Sequence, residues 1–195
     1  FKTKAARKAA RTAATAARPF VQELIKQHGG KVVLASSCLR RAAQTAHYLW
    51  PTQRLVVLPY ISEARRPLGN DQDNVCSLDE LTQLGYDVDV SMFTERPGAA
   101  APNAELFYGK VLPELQARFP GHVFLIVSHS NFLKQHVLDN KENVFNTSIW
   151  KQTIAPNGDR SITRPFPNRQ LTLDLTSTTN LCGAQYLTMS CVHKK

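Results

Sequence analysis

Three short stretches of the sequence carry side chains suited to holding an anion. In Ser37-Cys-Leu-Arg-Arg-Ala-Ala-Gln-Thr-Ala46, Arg41 falls in the first turn of a helix that follows a strand. A helix N-terminus favours negative charge, and a guanidinium there can grip a phosphate through two parallel N–H bonds. Taken alone, Arg41 reads more readily as a surface cation capping a neighbouring loop. Ile126-Val-Ser-His129-Ser-Asn ends a second strand on a histidine, a position that also suits a hydrogen-bonded core residue. Pro59-Tyr-Ile-Ser-Glu63-Ala-Arg-Arg places a carboxylate in the loop after another strand. Glu63 there is either a proton donor or an ion-pair partner for Arg65 or Arg66. Ligands of open α/β sheets bind beyond the carboxyl ends of the strands, so Arg41 and His129 are expected to face one crevice with Glu63 at its rim.

The elements that must position these residues follow from periodicity. Alanines at 5/6, 9/10, 13/14 and 16/17, then Phe20, Val21, Leu24 and Ile25, mark one face of a helix. Pro19 kinks that helix or opens a second one, and Gly29-Gly30 ends it. Strands are predicted at 31–36, 54–58, 122–128 and 148–154, and helices at 39–50, 77–84, 103–119 and 131–139. Residues 59–74 form a polar loop, and 155–170 read as a loop rich in Pro, Arg and Asn. Leu171–Leu175 and Tyr186–Val192 are candidates for a terminal strand pair. Strands alternating with helices imply an α/β fold, a mostly parallel doubly wound sheet covered on both faces.

With 195 residues, the chain suits one domain with a substantial core. The longest apolar stretch, Val123–Val127, is far short of the roughly 18 residues that cross a bilayer. The net charge of +9 is concentrated: residues 1–22 hold six bases and no acid, leaving +3 over the rest. This basic helical arm over 1–18 is either a solvated face or a surface for an anionic partner. Nucleic-acid binding would rest on charge alone, because the arm lacks interleaved aromatics. Cys38, Cys76, Cys182 and Cys191 form no C-x-x-C pair. With the histidines also dispersed, there is no zinc signature and no disulfide framework, which points to a reducing compartment such as cytoplasm or organelle matrix.

Together the three stretches resemble the histidine phosphatase superfamily, the phosphoglycerate-mutase-like proteins. That family carries S-x-L-x-R-A-x-Q-T-A after a strand, and Ser37, Leu39, Arg41, Ala42, Gln44, Thr45 and Ala46 match each fixed position. Glu63 matches its acidic loop residue. Val127-Ser128-His129-Ser130 matches its V-S-H-G except for the last residue, and Asn146-Thr-Ser-Ile149 is similar to its N-T-S-I. The likeness runs from about residue 13 to 154, and residues 1–154 are taken as the phosphatase-like domain with 155–195 packing on it. The resemblance implies in-line phosphoryl transfer through a phosphohistidine, with neither metal nor cofactor. It implies that Arg41 and His129 bind the phosphate of a phosphorylated small molecule and that Glu63 protonates the leaving oxygen.

The family's nucleophile comes in an R-H-G at the end of its first strand, and no R-H-G occurs in this sequence. Gln27-His28-Gly29-Gly30 is no substitute, because it stands at a helix end leading into a strand, at the edge of the sheet opposite Arg41. The expectation is therefore that the sheet lacks a central strand between 31–36 and 122–128, its place filled by an upstream segment or another chain in preference to 171–175 or 186–192. Two readings result. The parent protein is a phosphatase or mutase, or the chain is an inactive relative serving as a structural or interaction subunit of a larger complex.

Overall fold

Alternate residues of the buried strands face two separate apolar layers. In the computed structural model, which describes residues 4–63, 78–83, 85–93, 102–138, 149–155, 159–163 and 184–190, seven strands form one sheet. They are β1 (Val32–Ser37), β2 (Leu55–Leu58), β3 (Val88–Asp89), β4 (Val123–Ser128), β5 (Ile149–Ile154), β6 (Arg160–Thr163) and β7 (Ala184–Ser190). Their order is β3-β2-β1-β4-β7-β5-β6. Neighbours from β3 to β7 run parallel, while β5 lies antiparallel to both β7 and β6.

One face of the sheet, with Leu34, Val57 and Leu125, packs on helices α1 (Lys4–Gln27) and α2 (Arg40–Leu49). The other face, with Val33, Phe124 and Ile126, packs on Phe107, Leu112, Leu115, Phe132 and Leu133. These belong to two helical segments, each with a π turn. One runs from α4 (Ala104–Leu106) through Phe107–Val111 into α5 (Leu112–Arg118); the other runs from α6 (Ser130–Phe132) into Leu133–Val137. A short helix, α3 (Leu78–Gln83), precedes β3. Cover on both faces explains why β2, the run 32–35 of β1 and the run 123–127 of β4 are apolar rather than alternating with polar residues, the serines standing only at the strand ends. Each large apolar side chain so buried stabilises the fold by about 1.5–3 kcal/mol.

The alanine stripe lets α1 approach closely. Ala10, Ala14 and Ala17 are buried, whereas Lys8 and Arg11 are exposed. Arg18 donates from Nε and Nη2 to the Tyr48 carbonyl at 3.1 and 2.8 Å, satisfying a carbonyl in the last turn of α2. The basic start of the chain is thus a layer of the domain. Pro19 sits inside a helix that continues past it. The helix ends where Gly29 and Gly30 adopt positive φ and Gly30 N–H reaches back to the Ile25 carbonyl at 2.8 Å. His28 therefore lies at the amino edge of β1, as expected.

The structure corrects the idea of a missing central strand. β1 and β4 pair directly, Val32 beside Val123 through Ser36 beside Val127. β7 fills the far side of β4, and β5 pairs along its outer edge. Of the two candidates at the chain's end, the second therefore joins the sheet, while Leu171–Leu175 lies outside the described residues. A further correction concerns 155–170, where β6 forms within a stretch read as loop.

Candidate functional site

Because β1 and β4 are parallel neighbours, the chain leaves both at adjacent points on the carboxyl edge of the sheet. β1 ends on Ser37 and β4 on Ser128, immediately before His129. Ser37 Oγ and His129 Nε2 meet there at 2.6 Å, with both residues at most 1% exposed. The Leu39 N–H also reaches Ser37 Oγ, at a longer 3.4 Å.

Helix α2 begins next. Its N-cap is Leu39, which offers no side-chain acceptor, and its first turn contains no acid. The positive end of its dipole is therefore uncompensated by these usual means. Arg41 stands in this turn, 5% exposed. Its Nη2 donates to Glu63 Oε2 at 2.5 Å, while Nη1 is buried with no hydrogen-bond partner among the described residues. A buried unpaired donor costs about 1–3 kcal/mol, more on a charged group, so Nη1 is a place where an anion would be favoured. Arg40 turns away and pairs with Glu80 of α3. The adjacent arginines thus have separate roles.

Glu63 is carried by a constrained loop. Tyr60 takes φ 66, a left-handed conformation uncommon for a bulky residue. Two bonds hold the loop there. The Asn103 N–H donates to the Tyr60 carbonyl at 2.9 Å, and Ser128 Oγ donates to the Ile61 carbonyl at 2.8 Å. Ser128 is 1% exposed and Ile61 is fully buried, so the second bond is shielded from water.

Sequence reasoning placed Arg41, Glu63 and His129 in one crevice, and the structure joins them as two pairs: Arg41 with Glu63, and His129 with Ser37. Glu63 meets Arg41; the alternative partners Arg65 and Arg66 lie outside the described residues, as do Asn146, Thr147 and Ser148. The Glu63 side chain is 10% exposed, more enclosed than the rim position expected of it. The contributions of the Ser37 and Ser128 hydroxyls were not foreseen. Both serines sit at strand ends in the motifs, but only tertiary contact reveals their partners.

Among the described residues, no cluster of three or more His, Cys, Asp or Glu could hold a metal ion, and no helix is long and apolar enough to cross a membrane. Comparison of the chain with protein-family models, curated proteins and solved structures finds no match. The site must therefore be read from its own chemistry. Among the described residues it offers a guanidinium with one unpartnered nitrogen, a helix N-terminus with no side-chain cap and a buried Ser–His pair, groups that favour an anion, beside a carboxylate that opposes one.

Proposed function

We propose that the chain is a histidine-phosphatase-like domain of phosphoglycerate-mutase type that binds the phosphate group of a phosphorylated small molecule. The observation that carries this reading is the buried Arg41, whose Nη1 has no partner among the described residues, at a start of α2 that has no side-chain cap. In the parent activity, a histidine attacks phosphorus in line and the leaving oxygen takes a proton from Glu63. Arg41, with His129 on the same edge of the sheet, stabilises the charge on the equatorial oxygens. The nucleophile of that scheme is absent from residues 1–195. This chain supplies the binding half of the chemistry.

The test is titration with inorganic phosphate and orthovanadate, followed by calorimetry. Binding to the wild-type chain that is lost in Arg41→Ala supports the reading; equal binding by both, or none by the wild type, rejects it.

A second reading, an inactive relative used as an interaction subunit, draws on one observation. Arg41 and His129 are 5% and 1% exposed, and Glu63 already supplies Arg41 with a counter-charge. Failure of the wild-type chain to bind either anion would favour it.

A further inference from the structure

The resemblance assigns His129 directly to phosphate, yet in the structure its Nε2 is committed to Ser37. A serine hydroxyl has one hydrogen to give and two acceptor positions. Ser37 Oγ has two partners among the described residues, His129 Nε2 at 2.6 Å and the Leu39 N–H at 3.4 Å. The backbone N–H can only donate. If Nε2 also donates, both acceptor positions are filled and the hydroxyl hydrogen must point away from both. Ser37 ends β1 and Arg41 stands in the first turn of the helix that follows, so an anion held by Arg41 would lie at the same carboxyl edge of the sheet as that hydroxyl.

We infer that Ser37 is itself an anion-binding residue, and that His129 is a positioning residue acting through it. The Nε2–H of His129 donates to Ser37 Oγ and turns the hydroxyl hydrogen toward a phosphate oxygen. This rests on the phosphate-binding reading of Arg41 and changes the roles of two residues within it. Burial makes the arrangement effective, because in a water-poor site a hydrogen bond to an anion is stronger than at the surface. The chain of donors also polarises in one direction, from imidazole through hydroxyl to anion.

The experiment is a double-mutant cycle read by vanadate binding. Ser37→Ala and His129→Ala each weaken binding about tenfold, as expected for the loss of one charge-assisted hydrogen bond. The double variant is no weaker than Ser37→Ala, because His129 has no route to the anion without the hydroxyl. Ser37→Thr, which keeps the hydroxyl, and His129→Gln, whose amide can still donate to Oγ, retain binding. If the two losses multiply to about a hundredfold in the double variant, His129 touches the anion itself and the inference is wrong; it is equally wrong if Ser37→Ala binds as the wild type does. If the wild type binds no vanadate, the phosphate reading fails and this inference with it. A measurement on the unsubstituted protein guards against variants that do not fold. The nitrogen-15 shift of His129 Nε2 with vanadate bound should be that of a protonated nitrogen, and an unprotonated Nε2 overturns the assignment.

Discussion

Arg41 Nη2 and Glu63 Oε2 lie 2.5 Å apart, with the two side chains only 6% and 10% exposed. In such a buried pair each charge has given up its water for the other, so the pair contributes less to net stability than its closeness suggests. Removing one partner is another matter. Arg41→Ala leaves the Glu63 carboxylate without its counter-ion in a shielded loop, and we expect a loss of about 3–5 kcal/mol in urea-induced unfolding. Glu63→Gln keeps the volume and a hydrogen-bond acceptor but removes the charge that competes with an incoming anion. It is expected to bind vanadate more tightly than the wild type at neutral pH, and calorimetric titration of the two proteins side by side decides it. Weaker binding in Glu63→Gln would mean that Glu63 holds the guanidinium in place rather than competing for it.

On the phosphate-binding reading proposed above, binding does not by itself bring catalysis. A phosphohistidine route needs a histidine nucleophile behind the phosphate, and the sequence contains no R-H-G. His28 cannot take that part, since it follows α1 and precedes β1 at the amino edge of the sheet. The 195-residue chain should show no turnover of p-nitrophenyl phosphate above a no-protein control. Turnover that disappears in His28→Ala would overturn both the assignment of His28 and the placement of the site.

Much of the fold was legible because its strongest signals are local. Val123–Val127 is an uninterrupted apolar run and became the fully buried β4. The alanine stripe became the inner face of α1, and Gly29-Gly30 became its stop. What escaped was non-local. β3 is two residues long and β6 is mostly exposed, so neither carries an apolar pattern strong enough to stand out. The expected gap between β1 and β4 was an inference from a family pattern about sheet order, which no periodicity can test; their direct pairing is a property of tertiary packing. The same division holds in the site. Arg41, Glu63 and His129 were visible as residue types at particular spacings, but the Ser37–His129 bond spans 92 positions of sequence.

Asp89 is expected to contribute to the loss of stability in acid. Burial alone would raise its pKa. Hydrogen bonds from Ser91 Oγ at 2.6 Å and Ser91 N–H at 3.0 Å, with the guanidinium groups of Arg118 and Arg54, outweigh that and hold the carboxyl below its ordinary value. The unfolded chain therefore takes up this proton at a higher pH than the folded one. The resulting stability is fully present above the ordinary aspartate value of 3.8 and is lost as pH falls through the lower folded value. Denaturant midpoints followed from pH 7 down to pH 2.5 should fall less steeply below about pH 4 for Asp89→Asn than for the wild type. An identical acid limb in both proteins would show that other carboxylates set the limit.

Among the bonds that hold the loop carrying Glu63 is one from a buried hydroxyl, and this leads to the last prediction. Ser128 ends β4 one residue before His129, and its Oγ donates to the Ile61 carbonyl at 2.8 Å. Ser128→Ala leaves that carbonyl buried without its donor, at a cost of about 1–3 kcal/mol. Ser128→Thr keeps the hydroxyl and should recover most of the loss, which separates the hydrogen bond from the small change in volume. The functional consequence is directional. Freed at Ile61, the loop no longer holds Glu63 against Arg41, so the ion pair should loosen while Ser37 and His129, anchored on β1 and at the end of β4, stay in place. We therefore expect Ser128→Ala to lose stability while retaining the nitrogen-15 signature of the His129 ring. Amide hydrogen exchange should rise at Ile61, Ser62 and Glu63 and stay low along Val123–Val127. Exchange that rises equally in the loop and in β4 would show general unfolding of the strand and would rule out Ser128 as a specific anchor for Glu63.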